Sequence, residues 1–582
     1  MKTLLQINAV ANSGSTGKIA EDIGKLAIRN GWRSIIAYGR YANPSASELI
    51  QIGDRRGLGV KEHGLETRML DNHGLASRIA TKKFVKQIEE IKPDIIQLHN
   101  IHGYYINYKI LFECLSRLDV PIVWTLHDCW AFTGHCAYFD FIGCDKWKSG
   151  CYACEAKKTY PTSLLMDRSR RNYEDKKRAF CSVKDMTLVP VSDWLAGLVK
   201  ESFLGKYPVE VIHNGVDLQA FRPMETKRVK EKYGLEGKKV LIGVASVWSG
   251  RKGLADFVAL SKVLSEEYVI LLVGLTKEQI EGLPKNIIGI EKTESREELA
   301  EMYSAADIVL NLSREETFGM TTVEGFACDT PSIVYNTTAS PELISKDNGY
   351  IVEAGNISQL KQAIEKIEVD KANYRNVVRQ EAEKKYDKEI VFRKYVTRYE
   401  NSRRGGVRHN YNLNDKFIIL GVASIWGARK GLRDFIRLNE LTDDLIILIG
   451  LSKEQIETLP KNIIGIEKTE SREELAEMYS AADAFFNPTY EDNFPTTNIE
   501  ALACGTPMVT YRTGGSVEAV GEGTGFIVEQ GDIEQSLRVF EQIKQGNRET
   551  YRKLCRERAE QYYDKDKVFE EYIAMYEKMM RE

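Results

Sequence analysis

The stretch PKNIIGIEKTESREELAEMYSAAD stands at residues 284–307, and the same 24 residues stand again, unchanged, at residues 460–483. Chance does not produce identity over that length, and self-similarity of this kind decides the architecture before any local pattern is weighed. The match extends outward on both sides. IGVASVWSGRKGLADF (residues 242–257) mirrors LGVASIWGARKGLRDF (residues 420–435), and YDKEIVFRKYVTRYE (residues 386–400) mirrors YDKDKVFEEYIAMYE (residues 563–577). A unit far longer than a solenoid repeat has been copied, whereas residues before about 215 have no second copy. The stretch NSRRGGVRHNYNLND (residues 401–415) is polar, rich in Gly and Asn and without apolar periodicity, so it reads as a linker. The expected organisation is an N-terminal domain over residues 1–215, a first copy over 216–400, a linker over 401–415 and a second copy over 416–582.

Inside each copy short apolar runs bounded by turn residues alternate with helical patterns. In the first copy VLIGVAS, YVILLVG, NIIGIEK, DIVLNLS, PSIVY and GYIVE read as strands, and SREELAEMYSAA and ISQLKQAIEKI as helices. The N-terminal region has the same rhythm: TLLQINAV, SIIAYG, DIIQLHN and PIVWTLH alternate with helical segments such as GKIAEDIGKLAIRNG. Such alternation predicts α/β domains, each a doubly wound parallel sheet with helices on both faces.

At 582 residues the chain has room for three to five domains. Its 43% hydrophobic and 28% charged residues are ordinary for a globular protein, and a formal net charge of -3 provides no global attraction to nucleic acid. The N-terminal apolar run MKTLLQINAVANSGSTGK is too short and too soon interrupted for a signal peptide, and no run of about 18 apolar residues occurs. A cytoplasmic location is therefore expected. Five of the ten cysteines (Cys129, Cys136, Cys144, Cys151, Cys154) crowd one segment, a distribution that disulfide-stapled secreted domains do not need.

Ligands of doubly wound sheets lie beyond the carboxyl ends of the strands, so polar residues placed there come first. After DIVLNLS comes REETFGMTTVEGFACDTP, which sets Glu316 and Glu324, with seven residues between them, around a helix start at Gly319, Thr321 and Thr322. Unpaired N–H groups at a helix start suit a diphosphate, and flanking carboxylates accept hydrogen bonds from sugar and ribose hydroxyls. Two glutamates on a solvated helix flank have the same spacing. After VLIGVAS, Arg251 and Lys252 precede a helix, where they can neutralise phosphate oxygens. In the N-terminal region Ser13–Gly17 follows the first strand and opens a helix, and Gly14 and Gly17 let its backbone approach a phosphate or an acceptor. The GxxxxGK[ST] spacing of a P-loop is missing. The strand PIVWTLHD ends in His127 and Asp128.

Together these residues resemble family 4, the retaining glycosyltransferases of the GT-B type with two Rossmann-like domains, over essentially the whole chain. The two glutamates separated by seven residues and the Ala327–Pro331 stretch ACDTP carry the resemblance most specifically; the family usually has Gly where this chain has Asp329. The resemblance implies that Glu316 meets the donor sugar, Glu324 the ribose and Lys252 the diphosphate, with His127 beside the reacting sugar. Many members place an Arg a few positions before that Lys, where this chain has Ser246 and Val247, so Arg251 has to supply the second charge. VIHNGVD (residues 211–217) looks like the family's crossover between domains, with Asn-Gly permitting a tight turn. The implied reaction moves a sugar from a UDP- or GDP-sugar to a polysaccharide or lipid-linked oligosaccharide, with retention. Arg251, Lys252 and the helix start stabilise the departing diphosphate in place of a metal, so no cofactor is required for catalysis. The Asp-x-Asp triplet that metal-dependent transferases use occurs here as Asp564-Lys565-Asp566, which reads as a helix-opening, solvated cluster.

The second copy keeps counterparts: Arg429, Lys430, Asp492 and Glu500, with the first acid one methylene shorter. Its Gly505–Pro507 and Gly514-Gly515 look closer to the common family form, so both copies are expected to bind donor. A transferase cleft needs two domains, and the adjacent copy, 216–400, is the expected partner of the N-terminal domain. The segment HDCWAFTGHCAYFDFIGCDKWKSGCYACEAKK resembles a branch of bacterial polysaccharide transferases of the colanic-acid type. Cys136, Cys144, Cys151 and Cys154 fit a structural zinc site, and reduced thiols packed in an insertion fit equally. Residues 157–180, rich in Lys and Arg around Leu164, Leu165 and Met166, read either as a solvated helix face or as a peripheral contact with anionic lipid on the inner face of the cytoplasmic membrane. Two other readings remain at this level: a nucleotide-sugar 2-epimerase of the same fold, and a non-catalytic nucleotide-sugar binder. A dinucleotide dehydrogenase is disfavoured, because no G-x-G-x-x-G with a following acid opens any domain.

Overall fold

The computed structural model of the chain describes residues 2–54, 57–410, 416–469, 471–565, 567–569 and 575. It contains three six-stranded parallel sheets. The first comprises β1 (Thr3–Asn8), β2 (Arg33–Tyr38), β3 (Glu48–Gln51), β4 (Ile95–Leu98), β5 (Ile122–Leu126) and β6 (Met186–Pro190). The second comprises β7 (Lys239–Val244), β8 (Tyr268–Val273), β9 (Ile287–Ile290), β10 (Ile308–Asn311), β11 (Ser332–Tyr335) and β12 (Gly349–Val352). The third comprises β13 (Ile418–Val422), β14 (Leu445–Ile449), β15 (Ile463–Ile466), β16 (Ala484–Asn487), β17 (Met508–Tyr511) and β18 (Gly525–Val528). Counting the strands of each sheet from one to six, the spatial order is 3-2-1-4-5-6 in all three. That is the doubly wound order, in which the chain reverses direction across the sheet between strands 1 and 4 and opens a crevice there.

The central strands are apolar without alternation because helices cover both faces. Every residue of β1, β4, β5, β6 and β10 is buried. Two strands escape the apolar-run reading. β3 is an edge strand with no buried residue, and β6 follows the Ser169–Phe180 helix, beyond a long irregular segment after β5.

The chain forms two compact units, Met1–Tyr399 and Glu400–Glu582. Unit 1 holds the first two sheets, and one continuous apolar cluster runs from Leu98 and Trp124 of the first to Val240, Ile242 and Val309 of the second. The Lys388–Asn410 helix returns from the second sheet to the first. Val391, Phe392, Tyr395, Val396 and Tyr399 pack with Leu4, Ile23, Trp32 and Ile95, and the Tyr399 hydroxyl donates to Gln97 Oε1. Part of the expected linker is therefore helical: residues 401–410 continue this helix, while 411–415 lie outside the described residues. A segment anchored by five buried side chains has already overcome nucleation, and each further residue extends the helix at little cost even through Gly and Asn.

The crossover at residues 211–217 also differs from its reading in one respect. Gly215 is not in the left-handed region that a tight Asn-Gly turn would use. It is needed because Val216 runs beside Asp387, so that a Cβ at 215 would stand 2.5 Å from Lys388 Cα. Both passages between the two sheets thus lie side by side.

Candidate functional site

The switch-point crevices gather the sequence candidates. In the second sheet β7 is followed by Arg251 and Lys252, and β10 by Glu315, Glu316 and Gly319. Lys252 Nζ is ion-paired with Glu316 Oε1, both side chains being mostly buried. Gly319 holds φ +105° as the residue before the Met320–Ala327 helix, a conformation that L side chains rarely adopt, and no side chain caps that start. The Thr322 N–H donates to Gly319 O at 3.0 Å, and the N–H groups ahead of it on the first turn can face an anion. Thr321 lies half-buried on the first turn, whereas Thr322 is fully buried and accepts from Asn311 Nδ2 at 3.3 Å, so its hydroxyl ties the helix to β10. The Glu316 N–H donates to Thr338 Oγ1 at 2.8 Å, which fixes the loop that presents the carboxylate.

One turn along the helix, Glu324 Oε2 accepts from the Tyr303 hydroxyl at 3.0 Å. Burial pushes the Glu324 carboxyl up to about 7, against the opposing pull of Tyr303, Arg296 and Lys18. Lys18 comes from the Gly14–Arg29 helix of the first sheet, so the glycine loop and Glu324 face one another. Gly14 takes φ +61°, and a Cβ on Gly17 would stand 2.9 Å from Val10 Cγ2. Both glycines serve the tight turn that starts this helix.

Across the crevice the first sheet contributes the residues after β4 and β5. His127 Nε2 lies 3.2 Å from His99 Nδ1, with the rings stacked, and His99 Nε2 lies 3.0 Å from Gln6 Oε1. The Gln6 amide is oriented by its Nε2 donating to Ala20 O at 2.8 Å, so Gln6 Oε1 must accept. His99 therefore carries its proton on Nε2, His127 donates through Nε2, and the His127 Nδ1 lone pair is left for a ligand. Burial holds both rings neutral and pushes His127 down to about 4. Asp128 Oδ2 pairs with His102 Nε2 at 2.8 Å and Oδ1 accepts from Trp130 N at 2.9 Å; burial alone would raise this carboxyl, but His102 and the two hydrogen bonds hold it below the usual range.

Three contacts join the halves of this site, and sequence reading missed the residues behind two of them. Glu315 accepts from the backbone N–H of Phe139 (3.0 Å) and Phe141 (3.2 Å), clamping the cysteine-bearing segment to β10. Burial raises this carboxyl to about 6. Glu342 accepts from Asp193 N and Trp194 N at the start of the Asp193–Glu201 helix. Arg251 stacks its guanidinium 4.0 Å over the Tyr138 ring and donates to Glu315 O at 2.6 Å. The Arg251 guanidinium is thus anchored as much as it is presented. The only signal for Glu315 was its place beside Glu316. Among the described residues, Asp193, His213 and Glu342 form the one group of three potential metal ligands drawn together, and helix capping accounts for Glu342.

In unit 2 the same parts recur at the β13/β16 crevice. Lys430 Nζ pairs with Asp492 Oδ2 at 2.5 Å, and the Tyr479 hydroxyl donates to Glu500 Oε2 at 3.0 Å. Asn487 Nδ2 donates to Asn498 Oδ1 as Asn311 does to Thr322. Arg429 offers its carbonyl to Tyr490 N at 2.9 Å. Gly514 and Gly515 are in the tight form because side chains there would strike the backbone of Asp492 and Asn493. Asp564 and Lys565 are described at the end of this unit, while Asp566 lies outside the described residues.

The chain is similar to known proteins. Residues 225–385 and 450–562 match the family described as Glycosyl transferases group 1, and residues 17–220 match Glycosyltransferase Family 4. WcaC of Escherichia coli (strain K12), described as a colanic acid biosynthesis glycosyl transferase, is 22% identical over 417 residues, 68% of this chain and 99% of its own length. The N-acetyl-alpha-D-glucosaminyl L-malate synthase of Bacillus anthracis is 27% identical over 200 residues, 33% of this chain and 52% of its own. Among solved structures, the sucrose-phosphate synthase of Thermosynechococcus elongatus superposes with a TM-score of 0.51 at 16% identity, covering 69% of this chain and 99% of that one, a likeness of fold.

Proposed function

From a chain that carries a Glycosyltransferase Family 4 domain and Glycosyl transferases group 1 domains, we propose that residues 1–399 form a metal-independent, retaining transferase site for a nucleoside-diphosphate sugar, UDP- or GDP-linked. The observation that carries this reading is the Lys252–Glu316 ion pair beside the uncapped start of the Met320–Ala327 helix. A diphosphate offers Lys252 and the helix N–H groups a better anionic partner. Binding would release Glu316 to accept from a sugar hydroxyl. Glu324, held with a proton by burial, can both donate to and accept from ribose hydroxyls. His127 Nδ1 supplies a neutral acceptor on the opposite wall.

As the sugar–phosphate bond breaks, charge develops on the β-phosphate. Lys252, Arg251 and the helix start, already oriented, would stabilise it without reorganisation. Arg251 is positioned through Tyr138 and the Glu315 carbonyl, so closing the cysteine-bearing segment also aims the second cation. The first copy is the active one in this reading, because first-sheet groups bond to Glu315, Glu342 and Arg251 of that copy. The second copy keeps a cation–acid pair and a Tyr–Glu pair, which supports donor binding there.

For the acceptor we favour a growing polysaccharide or lipid-linked oligosaccharide presented at an anionic bilayer. The backbone N–H of Leu164 donates to Arg68 O at 2.8 Å, which brings exposed Leu164, Leu165 and Met166 beside exposed Leu65, Met69 and Leu70 of the Leu58–Leu70 helix. Lys158, Arg170 and Arg171 of the same stretch are exposed, as are Asp167 and Glu62, and apolar tips with cations nearby in the chain suit a lipid surface.

The test is titration and turnover on the full-length chain. With UDP and GDP, calorimetry should find two sites in the wild type and one in each of Lys252→Ala and Lys430→Ala. With donor and acceptor, Lys252→Ala and Glu316→Ala should lower kcat/KM on the order of 10²–10³-fold, while Lys430→Ala and Glu500→Ala leave most activity. Equal loss from the second-copy variants would move the active site. Donor turnover that needs no acceptor and yields an epimeric sugar would replace transfer with epimerisation.

A further inference from the structure

Between β5 and the Ser169–Phe180 helix the chain runs for some forty residues with three short 3-10 turns as its only regular structure. So long an irregular segment inside a compact unit needs another source of order. Aromatic packing supplies part of it: the Trp147 ring lies 5.3 Å from both Phe132 and Phe139. The rest of its interior is polar and sulfur-rich.

The His135 imidazole is fully enclosed. Its Nδ1 lies 2.6 Å from Asp71 Oδ1, and Asp71 is itself fixed by Arg168 N donating to Oδ2 at 2.8 Å. His135 Nε2 is buried and has no hydrogen-bond partner. A buried imidazole held by a carboxylate through one nitrogen, with the other nitrogen's lone pair unused, is presented as metal-ligating imidazoles are. Leaving that nitrogen unsatisfied would otherwise cost stability.

Three thiols belong to the same stretch of chain. Cys136 is the next residue and is buried, and Cys154 N donates to Asp167 Oδ2 at 2.6 Å, beside the Arg168 N–H that holds Asp71. Cys151 Sγ accepts from Gly134 N at 3.2 Å, the N–H to sulfur bond that steadies a thiolate, and Cys151 and Cys154 have the two-residue spacing of a zinc knuckle. Lys176 Nζ is buried nearby, bonded to the carbonyls of Trp130 (2.6 Å) and Thr133 (3.0 Å). Cys151 and Cys136 are the first of the groups whose negative charge would stabilise it, ahead of Asp71 and Asp128. A buried cation of this kind calls for a nearby anion.

We propose that Cys136, Cys151 and Cys154, with His135 Nε2 as the fourth ligand, hold a structural Zn²⁺ that staples this segment. Three thiolates and a neutral imidazole leave the complex with one net negative charge, which Lys176 balances. With all four positions filled by protein, no open position remains for catalysis. Among the described residues no three of these four ligand atoms lie within 4.8 Å of one another, so binding has to draw the thiols and the imidazole together, to the sulfur–sulfur distance of about 3.8 Å that Zn–S bonds near 2.3 Å impose. Cys144 is near enough to Cys151 to act on its charge, but it makes no hydrogen bond to the cluster and remains outside the set.

Elemental analysis of the full-length protein, prepared without chelator, should find about one zinc per chain, released by a thiol-specific mercurial. Fewer than about 0.1 zinc per chain, with all ten thiols open to titration, would overturn the proposal. Cobalt exchanged into the wild type should give tetrahedral d–d bands and a charge-transfer intensity for three thiolates; octahedral bands or a four-thiolate intensity would overturn the ligand set without any variant. Cys154→Ser and His135→Ala should lose the metal and Cys144→Ser should keep it. Loss in Cys144→Ser would again refute the assignment.

Discussion

Glu315 and Glu316 are neighbours in sequence with different tasks. Glu315 turns into the protein to hold two backbone N–H groups of the cysteine-bearing segment, and Glu316 turns out to hold Lys252. Glu324 adds a third environment, because burial keeps its carboxyl protonated up to about 7. The folded protein then binds a proton that the unfolded chain has already released above about 4.5. Its stabilising effect is fully present below that pH and is lost as pH rises through 7, a change of roughly 3 kcal/mol. Glu315 titrates in the same direction and buried His99 and His127 in the opposite one, so the decline should appear as the difference between wild type and Glu324→Gln in denaturant unfolding of the nucleotide-free protein from pH 4.5 to 8; a difference flat with pH would assign the proton elsewhere. Glu316 and Glu324 were legible because their spacing around a helix start is itself the signal. Glu315 was not, because its partners are main-chain groups 174 and 176 residues away that no side-chain pattern advertises. Thr322 misled for the opposite reason: its position on the helix start is right, but its hydroxyl is spent on Asn311.

At the scale of elements, the uninterrupted apolar runs marked the buried central strands. β3 left no such mark, since an edge strand with no buried residue has nothing to make it apolar. The helical course of the polar 401–410 stretch, which starts where the two compact units divide, was not legible because helix continuation there depends on anchoring upstream, at Tyr395 and Tyr399, rather than on its own composition. The exposed Leu164–Met166 tip is the element most open to direct test. Leu164→Ser combined with Leu165→Ser should reduce co-sedimentation with phosphatidylglycerol vesicles about tenfold, in line with two apolar side chains leaving the interface. Turnover on a soluble acceptor should stay unchanged. Equal sedimentation of variant and wild type would remove the lipid surface from the proposal.

For the molecule as a whole, three sheets with one strand order make the fold the most legible feature of the sequence. The limits of its independent parts were less so. The first sheet is complete only with the Lys388–Asn410 helix, which covers Leu4, Ile23, Trp32 and Ile95. A fragment of residues 1–215 should therefore be poorly soluble and cooperative unfolding should be lost, whereas fusing residues 386–410 to it through a flexible linker should restore both. A fragment that unfolds cooperatively alone would show the helix to be dispensable.

That returning helix also gives meaning to a pattern of sequence further on. The residues that dock it, Val391, Phe392, Tyr395, Val396 and Tyr399, recur in sequence as Val568, Phe569, Tyr572, Ile573 and Tyr576. The pattern is that of a plug for the first sheet, and the socket formed by Leu4, Ile23, Trp32 and Ile95 is already filled by Lys388–Asn410.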